Sequence, residues 1–221
     1  MSNDSFIREV NEELRQDRLR SLWDRFGVMI VAGVVAILAA TGGWVAWTYW
    51  NEQRANASGD AFSQALDLAE AGRSEEAIAA FAALEADGYG SYPVLARMRQ
   101  ATAMVEAGDP AGAVAAFDGV SGDRSVPQSI RDMARLRSAL VLVDHGTLAE
   151  VSDRAQPLMD DANSMRHSAR EAVGLAAWKE GDAETSTRMF EQIAADGQAP
   201  TNLRQRAELM LELLRGTAVQ S

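Results

Sequence analysis

The sequence predicts an all-α protein: a single N-terminal transmembrane helix followed by an α-solenoid of about four helix pairs plus a capping helix. Three observations carry that expectation. The 221 residues include 40 alanines and only 5 prolines, and Lys179 is the one lysine among 21 basic residues. Such a chain is rich in good helix formers and poor in breakers. Residues 26–51 carry no charge. Beyond them, a turn motif recurs every 35–38 residues.

Composition also narrows the function. A hydrophobic fraction of 47% allows a sizeable core, while a formal net charge of -11 argues against nucleic acid, whose phosphates need a basic surface. The absence of cysteine excludes disulfides, zinc ribbons, iron–sulfur clusters and thiol nucleophiles. His145 and His167 lie 22 residues apart, and neither sits in an H-E-x-x-H spacing. His145 falls in a helix-ending turn, where it favours the negative end of the helix dipole. Asp160 and Asp161 lack the alternating pattern of a calcium loop, residues 87–90 form a turn without a preceding strand, and no G-x-S-x-G occurs. The sequence therefore predicts no enzyme, no metal and no cofactor.

The span comes first along the chain. Residues 27–50, GVMIVAGVVAILAATGGWVAWTYW, exceed the roughly 20 apolar residues that cross a bilayer core about 30 Å thick. Trp44, Trp47, Tyr49 and Trp50 mark one headgroup boundary, and Trp23 and Phe26 the other. A cleavable signal peptide has an apolar region of only about 7–15 residues, although Ala55-Asn56-Ala57 imitates a cleavage site. Arg8, Arg15, Arg18, Arg20 and Arg25 precede the span, whereas only Arg54 and Arg73 follow closely. Basic residues stay on the cytoplasmic side, which predicts a cytoplasmic N-terminus and a C-terminal domain outside, which in a bacterium means the periplasm. Ala32, Ala36 and Ala40 share one face of the span, with Gly43 close by, which suits close helix packing in lipid.

Residues 1–26 read as a cytoplasmic amphipathic helix. Ile7, Val10 and Leu14 fall at helical spacing, and Leu19, Leu22, Trp23 and Phe26 continue on a shifted stripe. An interfacial helix on the inner leaflet and a docking helix for a cytosolic partner both fit that pattern. Residues 51–60 are expected as a linker, and residues 216–221 as a disordered tail.

Between them, residues 61–215 repeat. The turns are EAG, EAG, DHG and KEG, ending at Gly72, Gly108, Gly146 and Gly181. Seven residues before each glycine stands a small residue: Ala65, Ala101, Ala139 and Gly174. Ala77 and Ala113 follow the first two glycines by five positions, and Phe81, Phe117 and Phe190 follow three of them by nine. The third unit has Ala155 instead. A left-handed glycine ends one helix and an acidic or hydroxyl residue caps the next, so each unit is a helix–turn–helix. Pro93 and Pro127 suit the links between units, and residues 201–214 form one more helix as a cap.

This pattern resembles the tetratricopeptide repeat, in which stacked helix pairs share a core that no single unit could bury. The resemblance implies that the first helices line a concave protein-binding groove. On that frame Met98, Arg99, Leu136, Arg137, Glu171, Leu175 and Trp178 face the groove. The partner-binding candidates are Met98, Arg99, Arg137, Glu171 and Trp178. Burial in the core, with Trp178 under the capping helix, is the alternative for these positions.

The complete layout, with FIREVNEELRQDRLRSLWDRFG before one span and four degenerate repeats, is similar to the YfgM-like ancillary subunit of the SecYEG translocon. That resemblance implies a bacterial inner-membrane protein whose partners are the SecYEG translocon, a membrane-anchored periplasmic chaperone and unfolded secretory proteins. It supplies no catalytic residues. An envelope scaffold for cell-wall or division machinery, and a regulator holding a cytosolic signalling partner, use the same features and stay open.

Overall fold

The computed structural model describes the backbone of residues 3–218 and the side chains of residue 20 and residues 23–216. The described residues are helical, with short turns and no strand. Two compact units divide the chain, residues 1–54 and residues 55–221.

The first unit belongs to α1, Asn3–Glu70. Its apolar stretch is long enough to cross a membrane and is not buried inside the protein. Val28, Met29, Ile37 and Leu38 are exposed by 66% or more, as lipid-facing side chains would be. Trp44 and Trp47 pack at 5.7 Å, and the guanidinium groups of Arg25 and Arg54 lie over Phe26 and Trp50. Each end of the apolar stretch thus pairs an aromatic ring with a cation. The stripe of Ile7, Val10, Leu14, Leu19 and Leu22 lies outside the described side chains.

The expected linker at 51–60 is instead helical and continuous with α1. Nothing in NEQRANASGD forbids a helix: proline is absent, and Gln53 donates to the Tyr49 hydroxyl one turn back. Its later residues also pack. The Ser58 hydroxyl is buried and accepts the Tyr89 backbone N–H at 2.9 Å. Tertiary contact here outweighs the weak helix propensity of Asn, Ser and Gly.

In the second unit the end of α1 pairs with α2, Ser74–Asp87. Then α3, Tyr92–Glu106, pairs with α4, Pro110–Gly122. The third pair is α5, Gln128–His145, with α6, Leu148–Ala155, which runs into a 3-10 turn, Gln156–Leu158. The fourth is α7, Arg166–Glu180, with α8, Ala183–Ala195, and α9, Thr201–Ala218, closes the array. The last helix therefore enters the segment expected as a tail; residues 219–221 lie outside the described residues.

The repeat signature is the core. Ala65, Ala77, Phe81, Ala101, Ala113, Ala139 and Ala155 are fully buried, and Phe117 and Phe190 are 1% exposed. A Cβ on Gly174 would stand 3.0 Å from the Phe190 ring, so the small position sets how closely α7 and α8 approach. In the third unit, which has no phenylalanine, fully buried Leu158 packs in the same cluster as Ala155.

The turns divide in the same way. Gly72, Gly108 and Gly181 have φ of 73°, 83° and 82°, the left-handed conformation that glycine adopts freely. In each, the next residue's N–H reaches back to the helix, for example Asp109 to the Met104 carbonyl at 2.8 Å. Gly146 departs from that expectation, with an extended φ of -126°. Thr147 opens α6 with a reciprocal capping box, its hydroxyl accepting from the Glu150 N–H and the Glu150 carboxylate accepting from the Thr147 N–H. Lys179 of the next unit donates to the Val143 and Asp144 carbonyls at 3.0 and 2.7 Å, occupying carbonyls at the end of α5.

Candidate protein-binding face

The first helices of successive pairs stand side by side. Arg137 on α5 donates to the Thr102 hydroxyl on α3 at 3.0 Å, and Lys179 on α7 reaches α5. Taking the small residue of each first helix as origin, Leu95 and Met133 lie six positions before it, Leu140 one after and Trp178 four after. At 3.6 residues per turn these offsets fall within an arc of about 80°, so the repeats place them on equivalent faces. All four are exposed, Trp178 by 49%. Contiguous exposed apolar surface marks interaction sites, which makes these four side chains the candidates on this face.

The sequence candidates separate on this frame. Met98 and Leu136 are 9% and 7% exposed and sit in the core. Arg99 is exposed, and Arg137 is half-buried by its bond to Thr102. Glu171 accepts both guanidinium bonds of Arg206 from α9, at 2.7 and 2.9 Å, so it holds the cap in place. Leu175 is half-buried beside α9. Trp178 is not covered by the capping helix, because α9 packs through Leu203, Ala207, Leu211 and Leu214 farther along. Exposed Leu95, Met133 and Leu140 were not read from the sequence; their common register with the alanines was the available signal.

Acidic residues border this face. Glu70, Glu106 and Asp144 occupy the same register, two positions before the turn glycine, and are exposed. Among the described residues none of the three forms an ion pair, whereas Arg73, Arg97, Arg135, Arg154, Arg166, Arg170 and Arg206 all pair internally. Arg97, Arg135, Arg154, Arg166 and Arg170 are largely covered within their pairs, whereas these three acidic groups stand unpaired at the surface.

A cavity of about 140 Å³ opens between α1, α2 and α3. Buried Phe81 and Ala103 and half-buried Leu66 and Ala69 form its floor. Exposed Glu70, Arg99 and Glu106 stand at its mouth.

Two polar networks elsewhere hold helices together. Asp118 on α4 accepts from the Ser138 hydroxyl on α5 and from Arg154 on α6. His167, 4% exposed, lies 2.7 Å from Asp196 in the α8–α9 link, which also accepts from Arg166. The His167 bond, the Gln198 backbone N–H and Arg166 hold the Asp196 carboxyl well below the usual carboxylate range. Neither histidine joins two other metal-ligating side chains among the described residues.

A family model of the tetratricopeptide repeat-like domain matches residues 20–215, covering the apolar stretch as well as the repeats. No curated protein and no solved structure matches the chain.

Proposed function

The chain belongs to the tetratricopeptide repeat-like domain family, and from that premise we propose that it is an inner-membrane adaptor of the SecYEG translocon. Repeats of this kind are typically non-catalytic protein-interaction scaffolds, and the presented side chains fit that role. The apolar part of α1 anchors the protein, with its N-terminus in the cytoplasm and its repeats in the periplasm. The repeats bind emerging secretory proteins and a membrane-anchored periplasmic chaperone to assist folding. The single observation that favours this reading is the joining of a lipid-suited helix to an exposed apolar row, Leu95, Met133, Leu140 and Trp178. Tethering raises the effective concentration of a weak binder where its clients emerge.

Photo-crosslinkers placed along residues 27–50 in cells test the location. Adducts with translocon subunits from one face of the span are expected. Adducts with lipid alone would remove the translocon from the account. Replacing residues 27–50 by polyleucine of equal length separates a packing span, which then loses the translocon, from a passive anchor, which keeps it. The envelope-scaffold reading shares the repeats but predicts crosslinks to cell-wall or division proteins from the same positions.

A further inference from the structure

Two neighbouring gaps between first helices carry the same arginine in different states. Arg99 and Arg137 both stand two positions before the small residue of their helix. Arg137 reaches across to Thr102 and is held there at 3.0 Å. Arg99 lines one cavity with Leu66, which occupies the register of Thr102 and has no side-chain acceptor. Arg99 is exposed, and the cavity of about 140 Å³ between α1, α2 and α3 lies open beside it.

We infer that this cavity is an anchor pocket for one phenylalanine- or leucine-sized side chain of an extended polypeptide whose adjacent residues are basic. The inference deepens the proposed protein-binding role and rests on it. Size supports the first part: a cavity near 150 Å³ in an apolar protein interior admits a benzene ring. The floor of Leu66, Ala69, Phe81 and Ala103 offers such a side chain apolar surface. Charge supports the second part. Glu70 and Glu106 at the mouth outnumber Arg99, and Asp144 continues the acidic row. From residue 51 onward the chain has 26 acidic against 16 basic residues. An acidic partner would meet like charge, which costs affinity and slows encounter.

The test uses the full-length protein in nanodiscs and a fluorescein-labelled peptide with one phenylalanine between two arginines in a Gly-Ser background. Fluorescence anisotropy should report saturable binding that falls about tenfold when the phenylalanine becomes serine. A similar fall should follow when the arginines become glutamates. Leu66→Thr supplies Arg99 with the acceptor that Arg137 already has, and Ala69→Phe fills the cavity; each should weaken the peptide about tenfold with helicity unchanged. The exposed pair Glu70→Lys and Glu106→Lys, which leaves the core intact, should abolish the preference for arginine. Undiminished binding to the charge-reversed pair or to folded Leu66→Thr would overturn the inference, as would absent binding to the original protein. Because the readout is a peptide affinity, failure here leaves the translocon crosslinks from the span as a separate result.

Discussion

Phe81, Phe117 and Phe190 are each 1% exposed or less and follow a turn glycine by nine positions. Phe190 packs on Gly174 at a separation that a Cβ would make 3.0 Å, and the Ser186 hydroxyl donates to the Gly174 carbonyl at 2.9 Å. Phe190→Ala should therefore lower unfolding stability by about 3–5 kcal/mol, the cost of a large buried truncation, measured by urea denaturation. Gly174→Val should also destabilise, by about 1–3 kcal/mol, through overpacking rather than a cavity. These positions were legible in the sequence because burial repeats with the turn. Asp196 was not: its partners come from α7 and from its own link, and no spacing announces them. The Asp123 carboxyl is likewise lowered, to about 2, mainly by the Ser125 hydroxyl and then by Arg97. Both carboxylates are thus held below their ordinary values in the folded state. Their stabilisation is present in full above about pH 4 and is lost as pH falls toward and below about 2. A urea series from pH 6 to pH 2 should show falling midpoints, with Asp196→Asn starting lower and falling less.

At the scale of elements, the third helix pair is where the repeat rule bends. Its glycine is extended, its phenylalanine is Ala155, and its buried bulk includes Leu158 from the 3-10 turn. Lys179, the chain's one lysine, donates to three carbonyls of that turn, and Glu180 accepts the Leu148 N–H at 2.7 Å. Lys179→Ala should destabilise by about 1 kcal/mol, because it removes a charge-assisted cap. Arg73→Ala breaks only an exposed pair with Glu76 and should stay within about 0.5 kcal/mol. Hydrogen exchange would place the first effect at the end of α5. The sequence marked this unit as degenerate, yet Lys179 and Glu180, which satisfy its turn, come from the next unit and could not be read locally. The same holds for the expected linker at 51–60, where the Ser58 hydroxyl meets the Tyr89 N–H, a contact 31 residues away that no local pattern announces.

For the whole molecule, the sequence carried the all-α class, the apolar span and the four-unit array because each has a period or a length that local physics dictates. Which side chains remain exposed depends on how neighbouring units stack, so Met98 and Glu171 were grouped with Arg99 and Trp178 although packing assigns them to the core and the cap. The proposed topology, with the repeats outside the cytoplasm, rests on the arginines before the apolar stretch. Alkaline phosphatase fused after Ser221 should be active and a green fluorescent protein at that position dark; the opposite pair of results would place the repeats in the cytoplasm.

The proposed function requires that the first-helix face meet proteins as they are exported. A photo-crosslinker at Leu140, within that face, and another at exposed Glu191 on α8 compare two surfaces of the same protein. With a radiolabelled secretory precursor arrested during export, the adduct is expected from Leu140 and not from Glu191. Equal adducts from both positions, or none from Leu140 while the span still crosslinks to the translocon, would contradict it.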